Sequence, residues 1–140
     1  MENNIIIKKV YEDNELIELK IMIDSPFVKA YQFCYIQDID LIENAEKIIG
    51  YSKNFTNDCY VEFGKKEGNY TPAFSLKFLK ANLTGHLKIE VDIEIEDNDE
   101  RLHRCCCYVD SELGLVENFG LAMKKLVFAE VGSEISMLEL

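Results

Sequence analysis

Residues 86–97, HLKIEVDIEIED, alternate between apolar and charged side chains. Successive side chains of a β-strand point to opposite faces, so this pattern predicts a strand with one apolar and one acidic face. A helix would scatter the apolar residues around its circumference. Burying the apolar side would contribute roughly 7–15 kcal/mol of gross transfer free energy, as an upper bound. The apolar members are Leu87, Ile89, Val91, Ile93 and Ile95.

The acidic face of this strand carries Glu90, Asp92, Glu94 and Glu96. Along a strand these carboxylates spread over about 20 Å, so they do not converge on one ion, and the glycine of a calcium-binding loop is absent. Aligned like charges repel and cost stability. The face is therefore either a solvated surface or a surface that binds a partner. We take the four residues as candidate partner-binding residues.

A hairpin turn at Asp97–Glu100 and a returning strand, RLHRCCCYV, are predicted next. Alternation puts His103, Cys105 and Cys107 on one face, about 6.6–7 Å apart per step. Tetrahedral zinc ligands lie closer together, and no Cys-x-x-Cys turn is present. Free cysteine packs as a small apolar side chain, which is the favoured interpretation. A metal or redox role is the alternative, and neither metal nor cofactor is predicted.

The first half of the chain predicts three strands and a helix. Strands are expected at 5–11 and 16–23, and Phe27–Ile36, FVKAYQFCYI, is apolar and aromatic on both sides, which predicts a central strand. Helical spacing of apolar residues follows, with Asp40 as the expected N-cap and Gly50 at the expected left-handed C-cap.

The second half adds strands near 59–63 and 74–78 and a helix capped by Ser111. Gly114 and Gly120 weaken that helix, which suggests close backbone contact with the sheet at both positions. We predict one α+β domain over residues 1–140, with 130–140 as a tail of unassigned form. Its expected architecture is an antiparallel sheet of about six strands with two helices packed on one face.

The composition indicates which class of partner and which cellular compartment to expect. The net charge is −11, from 26 acidic and 15 basic residues, so phosphate backbones and anionic membranes are repelled and a basic protein is the better partner. The five cysteines are an odd number and three adjoin, a pattern typical of a reducing cytoplasm. Neither a secretory signal nor an apolar run long enough to span a bilayer is visible.

Catalytic signatures are missing from the sequence. Phosphate-binding glycine loops, a nucleophile elbow and a His-Glu-x-x-His zinc motif do not occur. His86 lies about 13 Å from Glu90 along the strand, too far for an acid–base pair. We therefore expect no catalytic residues and no enzymatic activity.

The order of elements resembles the WapI-type immunity proteins of bacterial polymorphic and contact-dependent toxin systems. The segments that carry the resemblance span Leu16–Phe128 and are LIELKIMID, the aromatic strand, DIDLIENAEKIIG, FSLKFLKANLTGHLKIEVDIEIED, CCCYV and DSELGLVENFGLAMKKL. The resemblance implies a small cytoplasmic protein that binds a cognate toxin domain and blocks it. Many such toxins are basic nucleases, which an acidic inhibitor would find rapidly by electrostatic steering.

Two other classes stay open. One is a small-molecule or regulatory binding domain, dimeric through an apolar sheet edge or through Ile135–Leu140; a deep apolar pocket or a large symmetric interface would favour it. The other is a metal-dependent enzyme, which would bind stoichiometric zinc.

Overall fold

The computed structural model describes residues 3–64, 73–98 and 101–138, except for the side chains of 95–98 and 101–102. Two helices and eight strands occur in these residues. In chain order they are β1 (Asn4–Glu12), β2 (Ile17–Asp24), β3 (Lys29–Ile36), α1 (Asp38–Lys53), β4 (Cys59–Phe63), β5 (Ala73–Phe78), β6 (His86–Asn98), β7 (Arg101–Glu112), α2 (Leu113–Leu126) and β8 (Glu134–Ser136). Neither helix is long and apolar enough to cross a bilayer.

The strands form two antiparallel sheets rather than one. Within the described residues, sheet A has the order β3-β2-β1-β8 and sheet B the order β4-β5-β6-β7. The α+β class, the antiparallel pairing and the two helices are confirmed, but the single sheet of about six strands is wrong. The helix α1 separates the third strand from the fourth, and alternation within a strand carries no information on which hairpins share a sheet.

The β6–β7 hairpin is the longest strand pair, and it confirms the strand predicted at 86–97. Ile89 lies opposite Val109, and Val91 opposite Cys107. Leu87, Ile89, Val91 and Ile93 are buried, as the alternation predicts, and the side chain of Ile95 lies outside the described part.

The aromatic strand β3 is an edge strand of sheet A, so its predicted central place is wrong. Gln32, Cys34 and Ile36 on its inner side are buried. Tyr31 and Tyr35 on the other side are exposed. An edge strand with one covered face needs apolar side chains on that face only, and the tyrosines face solvent through rings that carry a polar hydroxyl.

The two helices pack against each other and reach strands of both sheets, α1 through β4 and α2 through β7 and β8. Gly120 lies at the crossing between them: an added Cβ there would be 2.8 Å from Cγ1 of Ile49. The predicted close approach exists at Gly120, although its neighbour is α1 and not the sheet. For Gly114 the prediction is wrong, because an added Cβ there would meet nothing within 4 Å.

The helix ends differ from the predicted caps. Helix α1 begins two residues before Asp40, with Gln37 as N-cap, and runs past Gly50 to Lys53. Helix α2 begins after Glu112, because Ser111 still belongs to β7. Neither helix has a side-chain N-cap hydrogen bond.

The segment 130–140, left unassigned from sequence, contributes β8 to sheet A. Ile135 lies opposite Ile7 of β1, and both are buried. Met137 is also fully buried. These side chains are part of the chain's own core, so they are not available for the dimer interface considered for this tail; residues 139 and 140 lie outside the described part.

Candidate functional site

The predicted partner-binding residues lie on the outer face of sheet B. Glu90 is opposite Lys77 of β5 and Tyr108 of β7, and Asp92 is opposite Ser75 and Cys106. The register extends through Glu94 to Glu96, although the side chain of Glu96 lies outside the described residues. Antiparallel pairing therefore brings the acidic residues beside neutral and basic ones.

Arg104 of β7 neutralises the centre of this face. Its Nε donates a hydrogen bond of 3.0 Å to Oδ1 of Asp92, and its Nη2 donates a second one to Oδ2. The side chain of Asp92 is only 8% exposed, and Glu94 lies 3.7 Å from Nε of Arg104. The hydrogen bond to Asp92 and its charge raise the pKa of Arg104. Asp92 and Glu94 thus make an ion-pair cluster within the protein.

Glu90 accepts a hydrogen bond of 2.9 Å from the hydroxyl of Tyr108. This bond, with the carboxylate charge, raises the pKa of Tyr108. Of the predicted residues with described side chains, Glu90 and Glu94 are partly exposed and Asp92 is buried. A role of Glu90, Asp92, Glu94 and Glu96 in partner binding stays a prediction.

The cysteines of β7 divide between two faces. Cys107 is buried, Cys105 partly buried and Cys106 exposed, and all are free thiols. Burial raises the pKa of both Cys106 and Cys107, which keeps these thiols protonated and poorly nucleophilic near neutral pH. His103 is exposed. Among the described residues, no three His, Cys, Asp or Glu side chains are grouped to hold a metal ion.

The most distinctive surface is on sheet A, and it is not one of the sites predicted from the sequence. Four large aromatic side chains are exposed on the outer side of sheet A. We call them the aromatic face; they are Tyr11 (49% exposed), Tyr31 (63%), Phe33 (38%) and Tyr35 (52%).

Two rings of the aromatic face contact each other and a neighbouring lysine. The rings of Tyr31 and Phe33 meet edge to face, with centroids 6.2 Å apart. Nζ of Lys20 on β2 lies 4.9 Å from the Tyr31 centroid and 5.6 Å from that of Phe33, within the range of cation–π attraction. The sequence signal was present in β3: large aromatic residues alternate with the smaller Gln32 and Cys34.

A groove of about 640 Å³ opens beside the aromatic face, where β3, α1 and β4 meet. Tyr35 and Tyr60 line it together with the first turns of α1. Its charged lining residues are Asp40, Glu43, Lys47 and Glu62.

The walls of the groove are tied together by a buried amide. Asn44 of α1 is 7% exposed, and its Nδ2 donates a hydrogen bond of 2.8 Å to the carbonyl oxygen of Glu62. The hydroxyl of Tyr60 donates to Oε2 of Glu62 at 3.1 Å. The position of α1 relative to β4 is therefore fixed before any ligand arrives.

No protein-family model, curated protein or solved structure matches this chain. The features of the chain that bear on its function are the two outer faces, the groove and the net charge.

Proposed function

We propose that this protein is a non-catalytic immunity protein that binds and neutralises a cognate bacterial toxin domain with a basic surface. The observation that carries the proposal is the aromatic face, with Tyr11, Tyr31, Phe33 and Tyr35 exposed together on one sheet. The resemblance of element order over Leu16–Phe128 supports the toxin as the kind of partner.

Exposed tyrosine and phenylalanine side chains are typical of protein–protein interfaces. Aromatic residues are enriched in interface cores and dominate their binding energy, because a large rigid ring is buried at a low entropic cost. Scattered apolar side chains are normal on a surface, whereas a contiguous group favours a binding surface. The T-shaped contact of Tyr31 and Phe33 holds two of these rings in place for a partner.

The charge of the chain favours a basic partner over a second copy. Two molecules of net charge −11 repel each other as they approach. A basic domain is attracted instead, and the attraction raises its association rate, especially at low salt. A partner that must be blocked soon after synthesis benefits from that rate.

The test uses the protein domain that the neighbouring gene encodes, in a growth-arrest assay with co-expression and in titration calorimetry. The chain should restore growth and bind the domain. The double variant Tyr31→Ala/Phe33→Ala should weaken binding at least tenfold, because each buried ring contributes more than about 1 kcal/mol. Exposed side chains can be truncated with little effect on folding, which the urea unfolding midpoint will verify.

The control is Phe128→Ala, which removes one 80% exposed ring that follows α2 and lies outside the aromatic face. It should bind the toxin domain like the unmodified chain. An unchanged affinity of a folded Tyr31→Ala/Phe33→Ala variant for the toxin domain would show that the aromatic face is not part of the interface. A neighbouring domain that is not toxic, or that is toxic and not bound, would overturn the immunity function.

A small-molecule binding domain is the second candidate, and the volume of the groove is the observation in its favour. Small-molecule sites are lined mainly by apolar side chains with a few polar ones. Within the described part of the chain, the lining of this groove includes the charged residues Asp40, Glu43, Lys47 and Glu62 besides its tyrosines. That lining suits a charged side chain of a protein better than an apolar metabolite.

A further inference from the structure

We propose that the groove between β3, α1 and β4 receives an arginine or lysine side chain from the basic partner. The inference rests on the proposed function and adds the contact that would fix the orientation of the complex. It concerns Tyr35, Tyr60 and the carboxylates of Asp40, Glu43 and Glu62.

The charge of the lining selects a cation. Among the residues that the structure describes, the charged groups of the lining are three carboxylates and one ammonium group, that of Lys47. Asp40 and Glu43 are exposed residues of α1, and Glu62 of β4 contributes to the same lining. A guanidinium or ammonium group between the two walls would form charge-assisted hydrogen bonds with carboxylates on either side.

The aromatic rings supply the second requirement of a cation site. Tyr35 is 52% exposed and Tyr60 47% exposed, and both contribute to the lining. A cation over the face of a tyrosine ring is attracted by its quadrupole, and arginine also stacks on the ring. Burial is the main cause of the raised pKa of Tyr60, so its hydroxyl stays protonated and neutral in the physiological range.

The groove and the aromatic face form one continuous surface. Tyr35 belongs to both, and Leu16 offers an apolar contact for the methylene groups of a long basic side chain. A partner seated on Tyr31 and Phe33 would thus place an adjoining basic residue at the groove. The Asn44–Glu62 hydrogen bond keeps the walls in position, which lowers the entropic cost of binding.

The probe is N-acetyl-L-arginine methylamide, titrated into the ¹⁵N-labelled full chain and followed by amide chemical shifts. We expect saturable shifts confined to the groove, with a dissociation constant on the order of 1–10 mM. The neutral isostere N-acetyl-L-citrulline methylamide should cause no saturable shift. The lysine analogue should bind the same residues, and more weakly if ring stacking contributes.

The variant Asp40→Asn/Glu43→Gln removes two charges at exposed positions. It should lower the affinity for the arginine probe about three- to tenfold. The control Glu46→Gln changes the same helix outside the groove, where Glu46 lies 3.7 Å from Lys124, and should leave the affinity unchanged. Shifts spread over the whole acidic surface without saturation, an equal response to citrulline, or an unaffected double variant would each overturn the inference.

The two proposals can fail separately. If the groove does not bind the arginine probe but Tyr31→Ala/Phe33→Ala abolishes toxin binding, the cation site is wrong and the immunity function stands. If the groove binds the probe but the chain neutralises no toxin, the cation site stands and the immunity function is wrong.

Discussion

At the scale of single residues, two side chains at equivalent positions of a sequence pattern can have different environments in the structure. Asp92 has the same place in the alternation as Glu90, yet Asp92 is buried against Arg104 and Glu90 bonds to Tyr108. The sequence indicates which face a residue occupies, because the period of a strand is two. It does not indicate which residue of another strand lies across from it, and that neighbour decides whether a carboxylate is exposed.

Tyr51 of α1 offers a test of burial at the residue scale. The ring is 4% exposed, and its hydroxyl donates to the carbonyl oxygen of Leu79. Burial raises the pKa of Tyr51 to about 12, above the value of about 10 in an unfolded chain. The neutral hydroxyl therefore stabilises the fold fully below pH 10, and this contribution is lost as the pH rises through 12.

We predict that Tyr51→Phe lowers the free energy of unfolding at pH 7 by about 1 kcal/mol, since the carbonyl of Leu79 loses its donor. The variant should also lose less stability than the unmodified chain between pH 10 and pH 12. Urea unfolding at pH 7, 10 and 11.5 measures both effects. An identical alkaline loss in the two proteins would contradict the assigned pKa.

At the scale of elements, the contact between the two helices depends on a missing side chain. An added Cβ on Gly120 would be 3.1 Å from Cγ2 of Ile48 and 3.2 Å from the backbone nitrogen of Ile49, besides its closer contact with Cγ1 of Ile49. A side-chain atom can rotate away, but a backbone nitrogen moves only with its helix. The crossing distance of α1 and α2 is thus set by this glycine.

Gly120→Ala is expected to lower the free energy of unfolding by about 1–3 kcal/mol, because the strain at the crossing exceeds the gain in helix propensity. Gly114→Ala, in the same helix and with open space at the added Cβ, is the matched control. It should be neutral or more stable by up to about 1 kcal/mol. Equal effects of both substitutions in urea unfolding would exclude the close contact.

The elements that could be predicted from sequence are those with a long, regular period. The ten-residue alternation of β6 and the apolar stripe of α2 each specify their own structure, and both are confirmed. The three-residue β8 has no such pattern, because it forms only against β1. Of the candidate sites, the outer face of β6 was visible in the sequence, whereas the groove joins β3, α1 and β4 and exists only in three dimensions.

On the scale of the whole molecule, one buried lysine joins the two ends of the described chain. Lys9 of β1 is fully buried, and its Nζ donates to the carbonyl oxygens of Val127 at 3.0 Å and Ala129 at 2.8 Å. The same ammonium lies 2.9 Å from Oε1 of Glu12. Its backbone also pairs with residues 132 and 133. The ammonium group of Lys9 can be buried because three acceptors replace the water molecules that would hydrate it in solvent.

Lys9→Met keeps the apolar stem and removes the ammonium, so two carbonyl groups near the end of α2 lose their donor. We expect the free energy of unfolding to fall by about 2–5 kcal/mol, measured by urea unfolding at pH 7. Glu12→Gln is the control, since Glu12 is 39% exposed and the amide can still accept a hydrogen bond; its cost should stay below about 1 kcal/mol. A Lys9→Met protein as stable as the original would show that the buried charge is dispensable.

The contact of Lys9 with Ala129, 120 residues away, also has a consequence for biosynthesis. At about 5–20 residues per second, a ribosome needs roughly 6–24 s to make the intervening chain. During that interval the nascent β1 has no β8 beside it, and its open edge could pair with a neighbouring nascent chain. Sheet B, whose strands end at Glu112, can assemble earlier, so sheet A is the part of the molecule that a chaperone would have most reason to shield.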